Sequence, residues 1–342
     1  MYGFDIGTTK MKVAQVEKGQ IKRLFFIPLP DGLVDRGEVL DYEEMGKFLK
    51  KALREKKLKG KKQAAVVLAP SLYYVRSAKT PLMSESQLLV NLPFEFRDYL
   101  TKGKESYNFD YLVNGITEER ADPGKTDRTS DTVITSMDLT IAMTLKETIA
   151  DYRRMFKTAG FELAVAVPNE LALYNVLRAR DVEKTAEYCF VDIGQSASRM
   201  TIYTGKKYET TRNIEICLND VDRAIARDYG TDMRTASDYK LYNFDNLRNH
   251  DNAKEVYNSI SADIRKAVNF YSFNNRNSNL NALYLMGGGA HITSLRELMS
   301  ENLDLKIHSA AELLPSDSAE PEDGNRLDYM LAAGAALQKE RD

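Results

Sequence analysis

The residues with the clearest chemical potential form a short segment near the N-terminus, DIGTTK, at residues 5–10. Asp5 follows an apolar, strand-like run, and Gly7 lets the backbone turn close to a ligand. Amides and hydroxyls in such a turn can donate to phosphate oxygens, and Asp5 can hold the water ligands of a magnesium ion. The predicted phosphate contacts here are Gly7, Thr8, Thr9 and a cation, Lys10 or Lys12, of which Lys10 is preferred.

The same pattern recurs as DIGQS at residues 192–196. A single Asp-Ile-Gly turn is ordinary in proteins, but its recurrence predicts two hairpins that bind one phosphate chain from both sides. The second set of predicted contacts is Asp192, Gly194, Gln195 and Ser196. Asp5 and Asp192 are the predicted magnesium contacts, both through water.

A third candidate is the run GGGA at residues 287–290, which follows the apolar segment 283–286. Consecutive glycines let the backbone approach a flat ligand, and the helix predicted after them offers free amides. We interpret the run as an adenosine site rather than a flexible connection, because three glycines cost backbone entropy without helping the fold. Its predicted contacts are Gly287, Gly288, Gly289 and Ala290. The sequence lacks both GxxxxGK[ST] and GxGxxG, which argues against a P-loop or a dinucleotide-binding site.

The elements that must position these turns occur in the same order in both halves of the chain. In each half, an apolar run leads into Asp-Ile-Gly and is followed by two further predicted strands, then predicted helices and another apolar strand. In the first half, the predicted strands are 11–16, 21–27, 64–69 and 163–167, and the helices are 42–54, 146–157 and 169–178. In the second half, the strands are 199–203, 208–216 and 282–286, and the helices are 218–229 and 259–273. The pattern predicts a duplicated α/β fold with lobes at residues 1–184 and 185–342.

The symmetry of the two halves breaks between about residues 72 and 145. Short strand-like runs at 109–113 and 133–144 accompany a charged stretch, 101–131, in which 103–125 reads as an exposed loop. We predict a small subdomain inserted in the first lobe. Its strand edges offer main-chain groups to an extended peptide, although the insert could also merely cover the lobe.

Composition narrows the class of protein. A length of 342 residues predicts about two domains, and 48 Lys plus Arg against 50 Asp plus Glu give no basic excess for nucleic acid. Cys189 and Cys217 are read as reduced thiols, and the scattered histidines predict no zinc site. A strand at the N-terminus leaves no room for a signal peptide, and no run of about 18 apolar residues occurs. We expect a cytoplasmic protein.

These motifs, in this order, resemble those of the superfamily that includes actin, sugar kinases and the large heat-shock chaperones. Residues 5–10 resemble its first phosphate loop, 192–196 its second and 287–290 its adenosine motif. Residues 169–172 and 332–336 resemble its two connecting helices, whose small residues let the lobes hinge. The resemblance implies a two-lobed, duplicated ribonuclease H-like fold that binds ATP with magnesium.

Within that superfamily, the chain resembles the PilM family of type IV pilus assembly proteins. Segment 264–271 is similar to the PilM helix that runs up to the nucleotide base, and 80–96 and 108–111 are similar to the PilM insert. The resemblance implies Asp263 and Lys266 as ribose or adenine contacts, although both also suit an exposed helix face. It implies a partner, the cytoplasmic N-terminal tail of the inner-membrane protein PilN, which would hold the chain at the membrane indirectly. Self-association stays open.

Two departures from the superfamily predict at most a slow ATPase. The second loop has Gln195 and Ser196 where chaperones and the division protein FtsA have a Gly-Gly-Gly-Thr run. Asn169 occupies the position at which hydrolysing relatives orient water, and a shift of one residue to Glu170 rotates the carboxylate by roughly 100°.

Two other classes of protein share the motifs. An FtsA-like division or filament protein is disfavoured, because FtsA has a different insert and an amphipathic membrane helix where this sequence ends. A small-molecule kinase would need a substrate pocket and a catalytic acid in the cleft.

Overall fold

The computed structural model describes residues 1–58, 62–120 and 133–338 of the chain. Its strands are β1 (Tyr2–Ile6), β2 (Lys10–Glu17), β3 (Gln20–Pro28), β4 (Val34–Asp35), β5 (Glu38–Val39), β6 (Gln63–Val67), β7 (Tyr73–Pro81), β8 (Tyr107–Arg120), β9 (Val133–Leu145), β10 (Glu162–Val167), β11 (Glu187–Ile193), β12 (Ser198–Thr204), β13 (Lys207–Ile214), β14 (Ala282–Met286) and β15 (Lys306–Ser309). Its helices are α1 (Tyr42–Glu55), α2 (Glu85–Glu95), α3 (Lys146–Thr158), α4 (Asn169–Arg180), α5 (Leu218–Tyr229), α6 (Met233–Tyr242), α7 (Asp251–Asn274), α8 (Thr293–Asn302) and α9 (Met330–Ala336).

Two five-stranded sheets repeat one topology. Their orders are β3-β2-β1-β6-β10 and β13-β12-β11-β14-β15. In each sheet the central strand pairs antiparallel with the next strand of its hairpin and parallel with the strand on its other side. The predicted duplication of an α/β unit is therefore confirmed.

The connecting helices α4 and α9 lie between the two sheets. Alternate residues of β11 face opposite cores, as the strand period requires: Phe190 packs in the core around α4 and α9, and Val191 packs against α5 and α7. A Cβ atom on Gly334 of α9 would lie 2.1 Å from the carbonyl oxygen of Ala172 in α4. The small residues predicted in these helices therefore allow backbone-to-backbone contact.

The insert is a three-stranded sheet, β7-β9-β8, with α2 on its apolar face. Every second residue of β9 from Met137 to Met143 is buried, which fits a strand with one covered face. The prediction of an exposed loop over 103–125 is wrong as far as residue 120, because β8 pairs with β9 over most of that stretch. The strand-like run 109–113 read from the sequence is the middle of β8, and residues 121–132 lie outside the described ranges.

Other differences concern secondary structure. Helices α2 and α6 were not predicted, although Asp232 caps α6 by accepting from the amides of Arg234 and Thr235. Helix α7 begins at Asp251, eight positions before the predicted start at 259. The irregular segment 316–324 contains a stretch that is bonded to β3.

We call residues 317–323 the C-terminal strap. Its Ala319 and Glu322 amides donate to the carbonyls of Ile21 and Leu24 in β3, at 2.9 and 2.7 Å. Arg23 of β3 forms an ion pair with Glu322 at 2.7 Å. The strap thus runs along β3 before the chain enters α9. No helix in the described ranges combines the length and apolar character that a membrane span needs.

Candidate functional site

The two Asp-Ile-Gly turns have the same backbone geometry. The Gly7 amide donates to the Lys10 carbonyl at 3.0 Å, and the Gly194 amide donates to the Ala197 carbonyl at 3.0 Å. A Cβ atom would lie 2.9 Å from the Lys10 oxygen at Gly7 and 2.6 Å from the Ala197 oxygen at Gly194. Both turns therefore need glycine for their own closure.

Lys12 joins the two hairpins electrostatically. It stands opposite Asp5 in the β1–β2 register, and its Nζ lies 3.1 Å from Asp5 Oδ2. Burial acts to lower the pKa of Lys12, but the charges of Asp5 and Asp192, together with Asp328, outweigh it and raise that pKa. The ends of β1 and β11 therefore face each other across a cleft that contains Lys12.

Asp192 is the cleft carboxylate that has no ion-pair partner among the described residues. Burial raises its pKa, and the charge of Asp5 adds to that effect, whereas Lys12 and Arg199 oppose it. Within residues 1–58, 62–120 and 133–338, no cationic group lies within ion-pair distance of the Asp192 carboxylate. The same ranges contain no group of three or more His, Cys, Asp or Glu side chains preassembled around a metal. A hydrated divalent cation fits this site better than a bare one.

The glycine run packs directly against the second hairpin. Gly287 has a φ of 77°, and a Cβ atom there would lie 2.2 Å from Asp192 Oδ1. A Cβ atom at Gly289 would lie 2.4 Å from Ile193 Cγ2, and one at Gly288 would lie 3.0 Å from Leu218 Cδ1. The expectation that these glycines do not help the fold is wrong, because two of them allow β14 to turn against β11.

A His-Asp pair closes the cleft beside the glycine run. Residues Gly288–His291 form a 3-10 turn before α8, with Ala290 buried within it. The imidazole Nε2 of His291 lies 2.7 Å from Asp328 Oδ1. Burial acts to raise the pKa of Asp328, but the bonds from His291 and the Asn325 amide outweigh it and lower that pKa. The pair therefore connects the glycine run to the turn that leads into α9.

The remaining predicted residues divide into two groups. Thr8, Thr9 and Ser196 lie on the two turns with at least partial exposure. Lys10 instead places its ammonium 4.5 Å from the centroid of the Phe26 ring. The Gln195 side chain points away from the cleft and binds Lys240 of α6.

Asp263 and Lys266 form an ion pair at 2.9 Å within α7. No contact between described residues joins this pair to Asp5 or Asp192. Farther along the same helix, Tyr271 donates to Glu187, at the opposite end of β11 from Asp192. The structure does not bring the α7 pair together with the hairpins, and its role in base or ribose binding stays a prediction.

Glu170 does not point freely into the cleft. Its Oε1 accepts from Thr211 Oγ1 of β13 at 3.0 Å, and its side chain is 5% exposed. The neighbouring Asn169 amide donates to the Tyr73 hydroxyl at 3.2 Å. Glu170 therefore stabilises the junction of α4 with β13.

Sequence reasoning missed Asp328 and His291, and it preferred Lys10 to Lys12. The register of the first hairpin contains the signal for Lys12. Ile6 pairs with Met11, so Asp5 pairs with Lys12 one position farther from the turn. No comparable local signal identifies Asp328, which approaches the cleft only because the C-terminal strap and α9 return to the first sheet.

Solved structures of other proteins are similar to this chain over almost its whole length. A chain in a structure described as the PilM-PilN type IV pilus biogenesis complex has a TM-score of 0.77 and 18% identity, with 98% of this chain and 97% of that chain covered. The ethanolamine utilization protein EutJ from Carboxydothermus hydrogenoformans has a TM-score of 0.55 and 15% identity, with 98% and 89% covered. These likenesses show a two-lobed actin-like fold.

No curated protein matched the sequence. The family model described as type IV pilus assembly protein PilM matches residues 3–340, almost the whole chain. The chain therefore belongs to the PilM family of type IV pilus assembly proteins.

Proposed function

We propose that this chain is an ATP-binding scaffold on the cytoplasmic side of a type IV pilus or related secretion machine. ATP with magnesium binds between the two hairpins, and the insert binds the N-terminal tail of a PilN-like inner-membrane protein. The chain is then peripheral to the membrane through its partner. Residues 1–184 and 185–342 form its lobes, with the insert at about 72–145.

The observation that carries nucleotide binding is the convergence of two equivalent Asp-Ile-Gly hairpins on one cleft. The cleft contains three carboxylates, Asp5, Asp192 and Asp328, against two cations, Lys12 and the Arg199 guanidinium that acts on Asp192. This excess of negative charge would repel a free triphosphate. A bound magnesium ion would supply the positive charge that lets carboxylates and phosphates share the site.

Each part of the cleft then has a distinct task. The turn amides and the hydroxyls of Thr8 and Ser196 donate to phosphate oxygens, and Lys12 offers a cation beside them. Asp192 holds water ligands of the magnesium ion. The glycine run lies against Asp192 and supplies the bare backbone that a nucleoside can approach.

Calorimetry tests the nucleotide site. Wild-type protein should bind ATP when magnesium is present, and EDTA should abolish binding. The double variant Asp5→Ala/Asp192→Ala should lose measurable affinity with an unchanged circular dichroism spectrum. Asp181→Ala is the matched control, because its exposed carboxylate lies outside the cleft and pairs with Lys206. Equal affinity in wild type and the double variant would refute the site.

The insert supports the partner proposal through its open edge. Strand β8 pairs with β9 on one side and has no strand on the other in the described part of the insert. An extended peptide can add main-chain hydrogen bonds along such an edge, while its apolar side chains contact neighbouring apolar groups. The insert exposes a run of such groups: Tyr74, Leu82, Leu89, Val90, Phe94, Tyr99, Val113 and Ile116. A PilM-family neighbour in complex with PilN is consistent with this proposal.

Peptide binding tests the partner proposal separately. A synthetic PilN N-terminal tail should bind wild type, and Val113→Lys/Ile116→Lys should weaken binding at least tenfold. Phe273→Lys is the control, because Phe273 is an exposed aromatic residue on α7, outside the insert. All three proteins should retain ATP binding. Unchanged peptide affinity in the β8 variant, or an equal loss in the control, would contradict docking at β8.

A further inference from the structure

The second phosphate turn is bonded from behind, on the side away from the cleft. The Gly194 carbonyl accepts from the Leu218 amide at 3.0 Å, and the Gln195 carbonyl accepts from the Asn219 amide at 2.8 Å. The first amides of α5 are thus used to hold the turn. Amides at a helix N-terminus often bind an anion, so this use leaves phosphate contacts to the front of the turn.

The Gln195 side chain continues this attachment into α6. Its Oε1 accepts from Lys240 Nζ at 3.0 Å, and its Nε2 donates to Asn219 Oδ1 at 2.7 Å and to Asp222. Both amide hydrogens and the carbonyl oxygen are therefore engaged. Gln195 would have to break these partly buried hydrogen bonds before its side chain could reach a nucleotide.

Lys240 and Asp222 make this attachment rigid. Lys240 Nζ lies 2.7 Å from Asp222 Oδ1, and the two side chains are 8% and 1% exposed. A buried ion pair whose remaining valences are hydrogen-bonded is costly to separate, because separation leaves an uncompensated charge away from water. Gln195 is bonded to both charged groups, so the position of the turn depends on the position of α6.

We propose that the Lys240–Asp222 pair positions the second phosphate turn through Gln195, so that α6, a helix outside the cleft, sets nucleotide affinity. This inference rests on the proposed nucleotide binding. Coupling of this kind is reciprocal, so bound nucleotide should in turn stabilise α6. None of the three side chains needs to touch the nucleotide.

The first test measures Mg-ADP affinity by calorimetry. Gln195→Met keeps side-chain length but removes the bonds to Lys240 and Asp222, and it should weaken binding at least tenfold. Ile225→Ala is the control, because it removes a buried side chain from α5 without touching Gln195. It should lower the urea midpoint and preserve the affinity. Wild-type affinity in Gln195→Met, or an equal loss in Ile225→Ala, would overturn the proposal.

A second variant separates positioning from general stability. In Asp222→Leu/Lys240→Met an apolar pair replaces the ion pair, which should keep stability close to wild type. The affinity should nevertheless fall, because Gln195 has lost both charged partners. Recovery of wild-type affinity together with stability would show that the pair is only structural.

Amide exchange distinguishes failure of this proposal from failure of nucleotide binding. Mg-ADP should slow exchange in α6 of wild type and leave it unchanged in Gln195→Met. A wild type that binds neither Mg-ATP nor Mg-ADP would refute the proposed function. The attachment of the turn to Lys240 and Asp222 is then tested in nucleotide-free protein. There, Lys240→Met should speed amide exchange across residues 194–197, and Ile225→Ala should not. Unchanged exchange in Lys240→Met would refute the proposal that this ion pair positions the turn.

Discussion

The first hairpin pairs its aspartate with a lysine of its own second strand, whereas in the second hairpin Arg199, the residue opposite Asp192, bonds to Asn213 and forms no ion pair with Asp192. Asp5 and Lys12 form one ion pair at the tip of the first sheet. Asp192 lies against the bare backbone of Gly287 and has its pKa raised by burial. Behind the second turn, Gln195 and the start of α5 fix the backbone.

This difference shows that the two copies share the backbone geometry of the turn but not the contacts of the side chains around it. The turn geometry is the same in both copies because the glycine and the hydrogen bond from its amide determine it locally. The side chains around each turn differ in their contacts: Lys12 pairs with Asp5, whereas Arg199, at the equivalent position of β12, bonds to Asn213. As a result, the first hairpin offers a neutral pair, and the second offers a carboxylate that has no ion-pair partner among the described residues.

The largest expected effect separates the two aspartates. Asp192→Asn should weaken Mg-ATP binding about 100-fold, because it removes the one unpaired carboxylate beside the phosphates, and a hydrogen bond to a charged group contributes about 1.5–3 kcal/mol. Asp5→Asn should cost less than about tenfold, because it releases the Lys12 ammonium toward phosphate. Calorimetry at fixed magnesium measures both. Equal losses in the two variants would mean that the hairpins act as a symmetric clamp.

The next effect concerns the cation of the first hairpin. Lys12→Met should weaken Mg-ATP binding about 30-fold, since it removes an ammonium from the cleft and leaves Asp5 unpaired. Lys10→Met is a close control, two residues away on the same strand face, and its ammonium lies over Phe26. We expect its affinity to stay within about twofold of wild type. A larger loss of Mg-ATP affinity in Lys10→Met than in Lys12→Met would support the prediction from sequence that Lys10 is the phosphate contact.

A smaller effect concerns stability without nucleotide. Burial raises the pKa of Asp192 in the folded chain, so ionisation of this carboxyl destabilises the folded state above that pKa. Asp192→Asn should therefore increase the free energy of unfolding at neutral pH. The gain should disappear as pH falls below the unfolded pKa of about 4. Urea unfolding from acid to neutral pH measures this.

Asp5→Asn provides the opposite case for the same measurement. It leaves the ammonium of Lys12 without its closest carboxylate, so the variant should be less stable than wild type at neutral pH, by about 1 kcal/mol. A stabilised Asp5→Asn variant would contradict the assignment of Asp5 and Lys12 as a matched pair.

The smallest expected effect is on turnover. Asp5 is paired with Lys12, Asp192 is assigned to the magnesium ion, and Glu170 is bonded to Thr211 rather than directed at the cleft. Glu170→Gln should therefore leave the rate of phosphate release within about twofold of wild type, and that rate should stay far below about 10 per second. A fall of about 100-fold in the variant would identify Glu170 as the group that orients water.

Local pattern was sufficient to predict most of the fold. Alternation and Asp-Ile-Gly turns identified β1–β2 and β11–β12, because each hairpin closes within a few residues. The insert was harder to read, since the sequence predicted a strand only over 109–113, whereas β8 extends from Tyr107 to Arg120. Helix α6 was missed although Asp232 signals its start.

The candidate site was predictable only where its residues belong to one hairpin. Asp5 and Asp192 follow from the motif alone, and Lys12 follows once the register is known. Asp328 and Lys240 reach their positions through tertiary packing, from the turn before α9 and from α6. Gln195 has a motif position that suggests a ligand contact, but its side chain is bonded to Lys240 instead.

The C-terminal strap has a consequence for assembly. Without it, β3 would end the first sheet with a row of unpaired main-chain groups, which is a template for aggregation or polymerisation through strand addition. The strap occupies the part of that row at Ile21 and Leu24 with the chain's own backbone, and the Arg23–Glu322 pair holds it there. Two copies of the protein therefore cannot pair through this part of β3 unless the strap first detaches.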